Sequence, residues 1–88
     1  MTVKNFEEAV NLVTIFKTRP TDDEMLQIYA LYKQATVGDN ENERPGMLDF
    51  KNRAKHDIWM EKKGMSVKSA KIEYIVLVNC MIDKYGLN

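Results

Sequence analysis

One cysteine, one histidine, two prolines and no net charge leave several protein classes without support in this chain of 88 residues. A lone thiol, Cys80, has no internal partner for a disulfide, which points to a reducing compartment and a cytoplasmic location. One histidine and one cysteine supply no converging soft-ligand set, so no metal site is expected. His56 belongs to no serine or cysteine nucleophile motif and no glycine-rich phosphate loop is present; no catalytic residue, no cofactor and no enzymatic activity is predicted. No apolar run approaches the roughly 20 residues of a spanning helix, which excludes stable membrane insertion. The stretch Met1 to Phe6 also lacks the apolar core of a secretory signal. Thirteen basic and thirteen acidic side chains balance, and a dedicated nucleic-acid binder would need a basic surplus. The chain is long enough for one domain over residues 1–88, burying about 60 % of its unfolded surface, and it is expected to be monomeric.

Alternating strand patterns, hairpin signals and internal repeats are missing too. What is present is helical periodicity in four segments, so the expected class is all-α, a single four-helix bundle. Phe6, Ala9, Val10, Val13 and Phe16 form the buried stripe of a first helix running to Phe16, with Asn5 as its cap and Glu7 and Glu8 in its first turn. Pro20 ends that region. Thr21-Asp22-Asp23-Glu24 is a capping box and starts a second helix that continues to about Val37, with Gly38 supplying a left-handed terminus. Asp39 to Gly46 reads as a loop of about ten residues, longer than most helix connections. A third helix is expected from Leu48 or Asp49 to Lys63, with Phe50, Ala54, Ile58 and Trp59 on its apolar side and Gly64 closing it. Ser66 caps a fourth, which runs to Tyr85 and ends at Gly86. Its wide stripe, including Ile72, Ile75, Val76 and Ile82, predicts the most buried helix, and Cys80 on it reads as a small core residue.

Two patterns point to chemistry. Tyr29, Tyr32 and Lys33 are spaced i, i+3 and i+4, so two phenols and an ammonium share one face of the second helix. That face suits a phosphate and a flat ring, and it equally suits a core stripe with Lys33 as a solvated rim charge. The second pattern is charge placement. Residues 51–71 carry seven basic and two acidic side chains, net +5, against −4 for residues 1–50. Lys51 and Lys55, one helical turn apart, can project over the same anion. Phenols, lysines and methionines are the vocabulary of binding.

These strings closely resemble the acyl-CoA-binding protein family. The most specific are Tyr29 to Asp39, Glu43-Arg44-Pro45-Gly46-Met47-Leu48-Asp49-Phe50, Ala54-Lys55 followed by Asp57 and Trp59, Tyr74, and Lys84-Tyr85-Gly86. The resemblance covers essentially the whole chain and implies an up-down-down-up bundle. It further implies a non-catalytic intracellular carrier and pool former for medium- to long-chain fatty acyl-CoA thioesters. Carried over residue by residue, it puts Tyr29, Lys33 and Lys55 at the ribose 3′-phosphate, Tyr32 against the adenine and Tyr74 along the site. Ala30, Leu31, Lys51 and Thr14 complete the implied ligand-binding set. Phe6, Ala9, Met25 and Leu26 are candidates for the acyl chain and equally for core packing. Thr14 stands where the family usually has a basic residue, and His56 where it usually has a tryptophan. These two departures motivate a second reading, a protein-interaction or signalling-precursor member of the same fold with weak ligand binding.

Overall fold

The computed structural model describes residues 3–88. Met1 and Thr2, part of the stretch read above for a leader, lie outside the described residues. The described residues form four α-helices: α1 (Phe6–Leu12), α2 (Asp22–Thr36), α3 (Phe50–Met60) and α4 (Val67–Tyr85).

Each start is set by a side chain that accepts an otherwise unpaired amide. Asn5 accepts from the Glu8 N–H at 2.8 Å. In the α2 capping box the Glu24 N–H donates to Thr21 Oγ1 at 3.2 Å and the Thr21 N–H donates to Glu24 Oε1 at 2.8 Å. Asp49 caps α3 and Ser66 caps α4, accepting from Asn52 and Ser69. At the other end of α2, Val37 and Gly38 both donate to the Lys33 carbonyl, and Gly38 takes φ +98°, which a side-chain-bearing residue rarely adopts.

Two helices end earlier than their periodicity predicts. α1 stops at Leu12 and continues only as a 3₁₀ turn over Val13–Ile15. The run Val13-Thr14-Ile15 is β-branched, and the Thr14 hydroxyl bonds the Asn11 carbonyl, so the helix is weak there. Phe16 is extended and forms an antiparallel bridge with Leu87, in which Lys17 N–H donates to the Gly86 carbonyl and Asn88 N–H donates to the Ile15 carbonyl. α3 stops at Met60, short of Lys63, because the amides of Lys62 and Lys63 turn back to the carbonyls of Trp59 and Met60 in tighter i→i+3 bonds.

The directions follow from who meets whom. The rings of Phe6, at the start of α1, and of Phe16, beyond its end, meet Tyr74 and Tyr85, so α1 runs parallel to α4. Glu24 meets Lys84 while Gln34 meets Met65, so α2 runs antiparallel to α4. Lys55 meets Tyr29 and Lys33 meets Trp59, so α3 runs parallel to α2. The arrangement is the expected up-down-down-up bundle.

The core comprises Val3, Phe6, Ala9 and Phe16 with Ile28, Leu31 and Ala35 of α2 and Ala70, Tyr74, Val78, Met81 and Ile82 of α4. The Cα envelope is only 15 Å across its thinnest direction, so few side chains are covered on both sides. Accordingly three expectations of burial fail. Cys80 is exposed, Ile72 and Val76 lie on the open face of α4, and Phe50 is 75 % exposed. A stripe wider than one contact surface leaves its margins outside when no fifth helix covers them.

Candidate functional site

Parallel packing of α2 against α3 brings Tyr29 and Lys55 together, with the Lys55 ammonium 5.2 Å from the Tyr29 ring centroid. On one side of this pair lies a groove of about 590 Å³, lined by Arg19, Asp22, Met25, Leu26, Ile28, Tyr29 and Tyr32, by Lys51, Ala54 and Lys55, and by Tyr74. That volume is in the range of small-molecule sites. On the other side a smaller cleft of about 160 Å³ shares Tyr29 and Lys55 and extends to Asn42, Asn52, His56 and Trp59. The Lys33 ammonium sits 5.2 Å over the Trp59 ring. Among the described residues no carboxylate is ion-paired with Lys33, Lys51 or Lys55. Two of the three are steered by aromatic faces instead, which leaves their positive charge uncompensated.

The α2–α3 loop is fastened so that this geometry persists. Arg44 makes a two-pronged pair with Asp57 at 3.0 and 2.7 Å. That pair, with the His56 ring beside it, holds the Asp57 carboxyl below its ordinary range. Asn40 donates to the His56 carbonyl, and Trp59 donates to the Gly38 carbonyl at 2.9 Å. Asp39 accepts from Gly64 N–H and from the Gln34 amide, which lowers its pKa and ties the loop to the approach of α4. The His56 ring is nearly enclosed, one nitrogen 2.9 Å from the Asn42 carbonyl and the other 3.2 Å from Asp57. It therefore packs the loop against α3 and borders only the smaller cleft.

Of the residues singled out from sequence, Tyr29, Tyr32, Lys51, Lys55, Tyr74, Met25 and Leu26 meet at the groove. Ala30 and Leu31, both buried, and Lys33, which lies over Trp59, are not among its lining residues. Ala9 is fully enclosed, and Phe6 lies behind the groove, stacked on Tyr32 at 6.2 Å and edge-on to Tyr74 at 5.0 Å. Thr14 is exposed in the 3₁₀ turn and does not line the groove. Asp22, Ile28, Ala54 and Arg19 were not anticipated. Helical spacing carries the signal for Asp22, which precedes Met25, Leu26 and Tyr29 on one face, and for Ala54, which follows Lys51 by three. Ile28 serves core and groove wall at once. Arg19 lies outside any helix, paired with Asp22 at 3.0 Å, and no spacing rule reaches it.

Burial pushes the Tyr74 phenol up to about 12, with the neighbouring Tyr32 adding to the shift. It is a neutral hydrogen-bonding group at any physiological pH. Among the described residues no cluster of three or more histidine, cysteine or carboxylate side chains converges on a point that would hold a metal ion.

Residues 3–78 match the family model for acyl CoA binding protein. The chain belongs to the acyl-CoA-binding protein family. It is 48 % identical over 82 residues to acyl-CoA-binding protein homolog 1 of Caenorhabditis elegans, covering 93 % of this chain and 95 % of that one. With the acyl-CoA-binding protein of Saccharomyces cerevisiae it shares 49 % identity over 81 residues, 92 % and 93 % of the two chains. The crystal structure of acyl-CoA-binding protein 2 from Oryza sativa superposes with a TM-score of 0.86 at 34 % identity, covering 90 % of this chain and 88 % of that one. The all-α acyl-CoA-binding-protein fold is thereby established for this chain, and no helix among the described residues is long and apolar enough to cross a membrane.

Proposed function

We propose that this protein is a non-catalytic carrier and pool former for medium- to long-chain fatty acyl-CoA thioesters, acting as a cytoplasmic monomer. The observation that carries the reading is the junction at Tyr29 and Lys55, where a largely apolar groove meets a cluster of uncompensated ammonium groups. Such a junction fits an amphiphile with an anionic head and an apolar tail, and family membership narrows that amphiphile to acyl-CoA.

In this reading Lys55, Lys33 and the Tyr29 hydroxyl take the ribose 3′-phosphate, since compact ammonium charges and a phenolic donor suit phosphate oxygens. Tyr32 keeps 39 % of its surface exposed while Phe6 backs its ring, which leaves an aromatic surface for the adenine. Met25, Leu26 and Ala54 receive the acyl chain, with Phe6 and Ala9 as the packing behind it. Lys51 adds positive potential at the rim. Zero net charge accords with a binder of one small polyanion and not with a nucleic-acid protein.

The interaction-module reading rested on Thr14 and His56. Neither lines the groove, so neither departure removes a wall of it.

Isothermal titration calorimetry with palmitoyl-CoA tests the proposal. Saturable one-to-one binding below micromolar ligand is expected, and absence of saturable heat at micromolar ligand overturns it.

A further inference from the structure

Three of the four residues from Met47 to Phe50 are large and apolar, and each stands in solvent. Met47, Leu48 and Phe50 are 76 %, 87 % and 75 % exposed. Their protrusion is built in. The Asp49 N–H donates to the Gly46 carbonyl at 3.0 Å, so Met47 and Leu48 occupy the two tip positions of a turn, and Asp49 then caps α3. Leaving that much apolar surface wet is unfavourable for a monomer unless something covers it part of the time.

The surroundings select the occupant. Lys51, Arg53 and Lys55 follow within five residues, and among the described residues no carboxylate is ion-paired with any of them. The nearby acids are largely engaged: Asp49 receives the Asn52 amide and side chain, and Asp22 is paired with Arg19. Glu43 lines the smaller cleft together with Lys55 and forms no ion pair with it. An apolar tip bordered by ammonium and guanidinium groups is complementary to an anionic interface with an apolar interior. The exposed stripe on α4 has a border of mixed sign, since Lys71 and Glu73 flank Ile72. The tip is also continuous with the groove, because Phe50 immediately precedes Lys51, which lines it.

We infer that Met47, Leu48 and Phe50 form a peripheral docking tip for an anionic phospholipid bilayer, holding the Lys51 end of the groove at the lipid surface. The contact is reversible and shallow, since three side chains and a short basic segment give far less than a spanning helix. The inference rests on the acyl-CoA reading only for its purpose, which is transfer of an apolar chain between bilayer and groove without exposure to water.

The test compares wild type with the double variant Met47→Ser/Leu48→Ser in vesicle co-sedimentation, using phosphatidylcholine vesicles with and without phosphatidylserine and no acyl-CoA. Wild type should bind the phosphatidylserine vesicles, with binding that weakens as salt rises. The double variant should lose about tenfold or more in partitioning, while its melting temperature and its calorimetric titration with soluble palmitoyl-CoA stay as in wild type. Equal partitioning of the two proteins overturns the inference, as does indifference to phosphatidylserine. A concentration-dependent dimer of wild type that the variant abolishes also overturns it, because a second copy then covers the tip. Vesicle binding with the expected variant effect, in a protein that gives no palmitoyl-CoA heat, leaves the docking tip standing and overturns the carrier reading.

Discussion

The Lys55 ammonium lies 5.2 Å from the centroid of the Tyr29 ring, on the ridge that separates the groove from the smaller cleft. Lys33 has the same relationship to Trp59. A cation resting on a ring face is oriented without being neutralised, so both side chains remain ready for an anion. Replacing Lys55 by Ala should weaken palmitoyl-CoA binding by about 1.5–3 kcal/mol, the worth of a charge-assisted hydrogen bond, or roughly ten- to a hundredfold. Lys33→Ala should act in the same direction. Circular dichroism should be unchanged in both, and titration calorimetry gives the affinity. An effect within about twofold for both variants would move the phosphate site elsewhere.

Much of this arrangement is legible in the chain because it is local. The capping box at Thr21 to Glu24 and the i, i+3, i+4 spacing of Tyr29, Tyr32 and Lys33 fix a helix start and a face, and Lys51 with Lys55 does the same on the facing helix. What is not legible depends on the far end of the chain or on which margin of a stripe finds cover. The β-branched run Val13 to Ile15 weakens the end of α1 locally, but the bridge that then holds Phe16 extended comes from Leu87, seventy-one positions away. Phe50, Ile72 and Val76 obey the apolar period yet remain outside, since periodicity names a face and not the neighbour that covers it. Arg19 reaches the groove from a connection where no period operates.

Chain length should dominate affinity over the nucleotide. Each buried methylene is worth about 0.8 kcal/mol, so lengthening the acyl chain by six buried carbons adds up to about 5 kcal/mol. Competition titrations across free CoA and thioesters of increasing length should show a steady gain that levels off when the chain outgrows the groove. Free CoA binding as tightly as palmitoyl-CoA would mean that the groove does not hold the chain.

Tyr74 joins the fold to the site: it is 2 % exposed, packs edge-on to Phe6, and still lines the groove. Removing the ring in Tyr74→Ala leaves a large cavity and should cost about 3–5 kcal/mol in urea unfolding, against a small change for Tyr74→Phe, which keeps the ring. If the hydroxyl bonds the ligand, Tyr74→Phe should nevertheless lower palmitoyl-CoA affinity by roughly 0.5–1.5 kcal/mol. Equal unfolding midpoints for Tyr74→Ala and wild type would contradict the packing described here.

Stability in acid should report the contact between the start of α2 and the end of α4. The Glu24 carboxyl accepts from the Tyr85 hydroxyl, from the Thr21 amide and hydroxyl and from Lys84, and these bonds hold its pKa at about 2 in place of 4.5. The Tyr85 bond is the largest cause. Because the folded pKa is the lower one, the unfolded chain binds the proton more readily, and unfolding becomes easier as pH falls. The stabilisation is therefore complete above the unfolded value near 4.5 and is lost progressively down to about 2. Urea midpoints measured from about pH 7 to about pH 3 should decline for wild type. Glu24→Gln should start from a lower midpoint and decline less steeply. Some slope persists in that variant, since Asp39 and Asp57 are lowered too and act with the same sign. Parallel curves for the two proteins would show that the α2–α4 contact contributes nothing to the pH dependence, and the Tyr85–Glu24 bond would then have to be absent in solution.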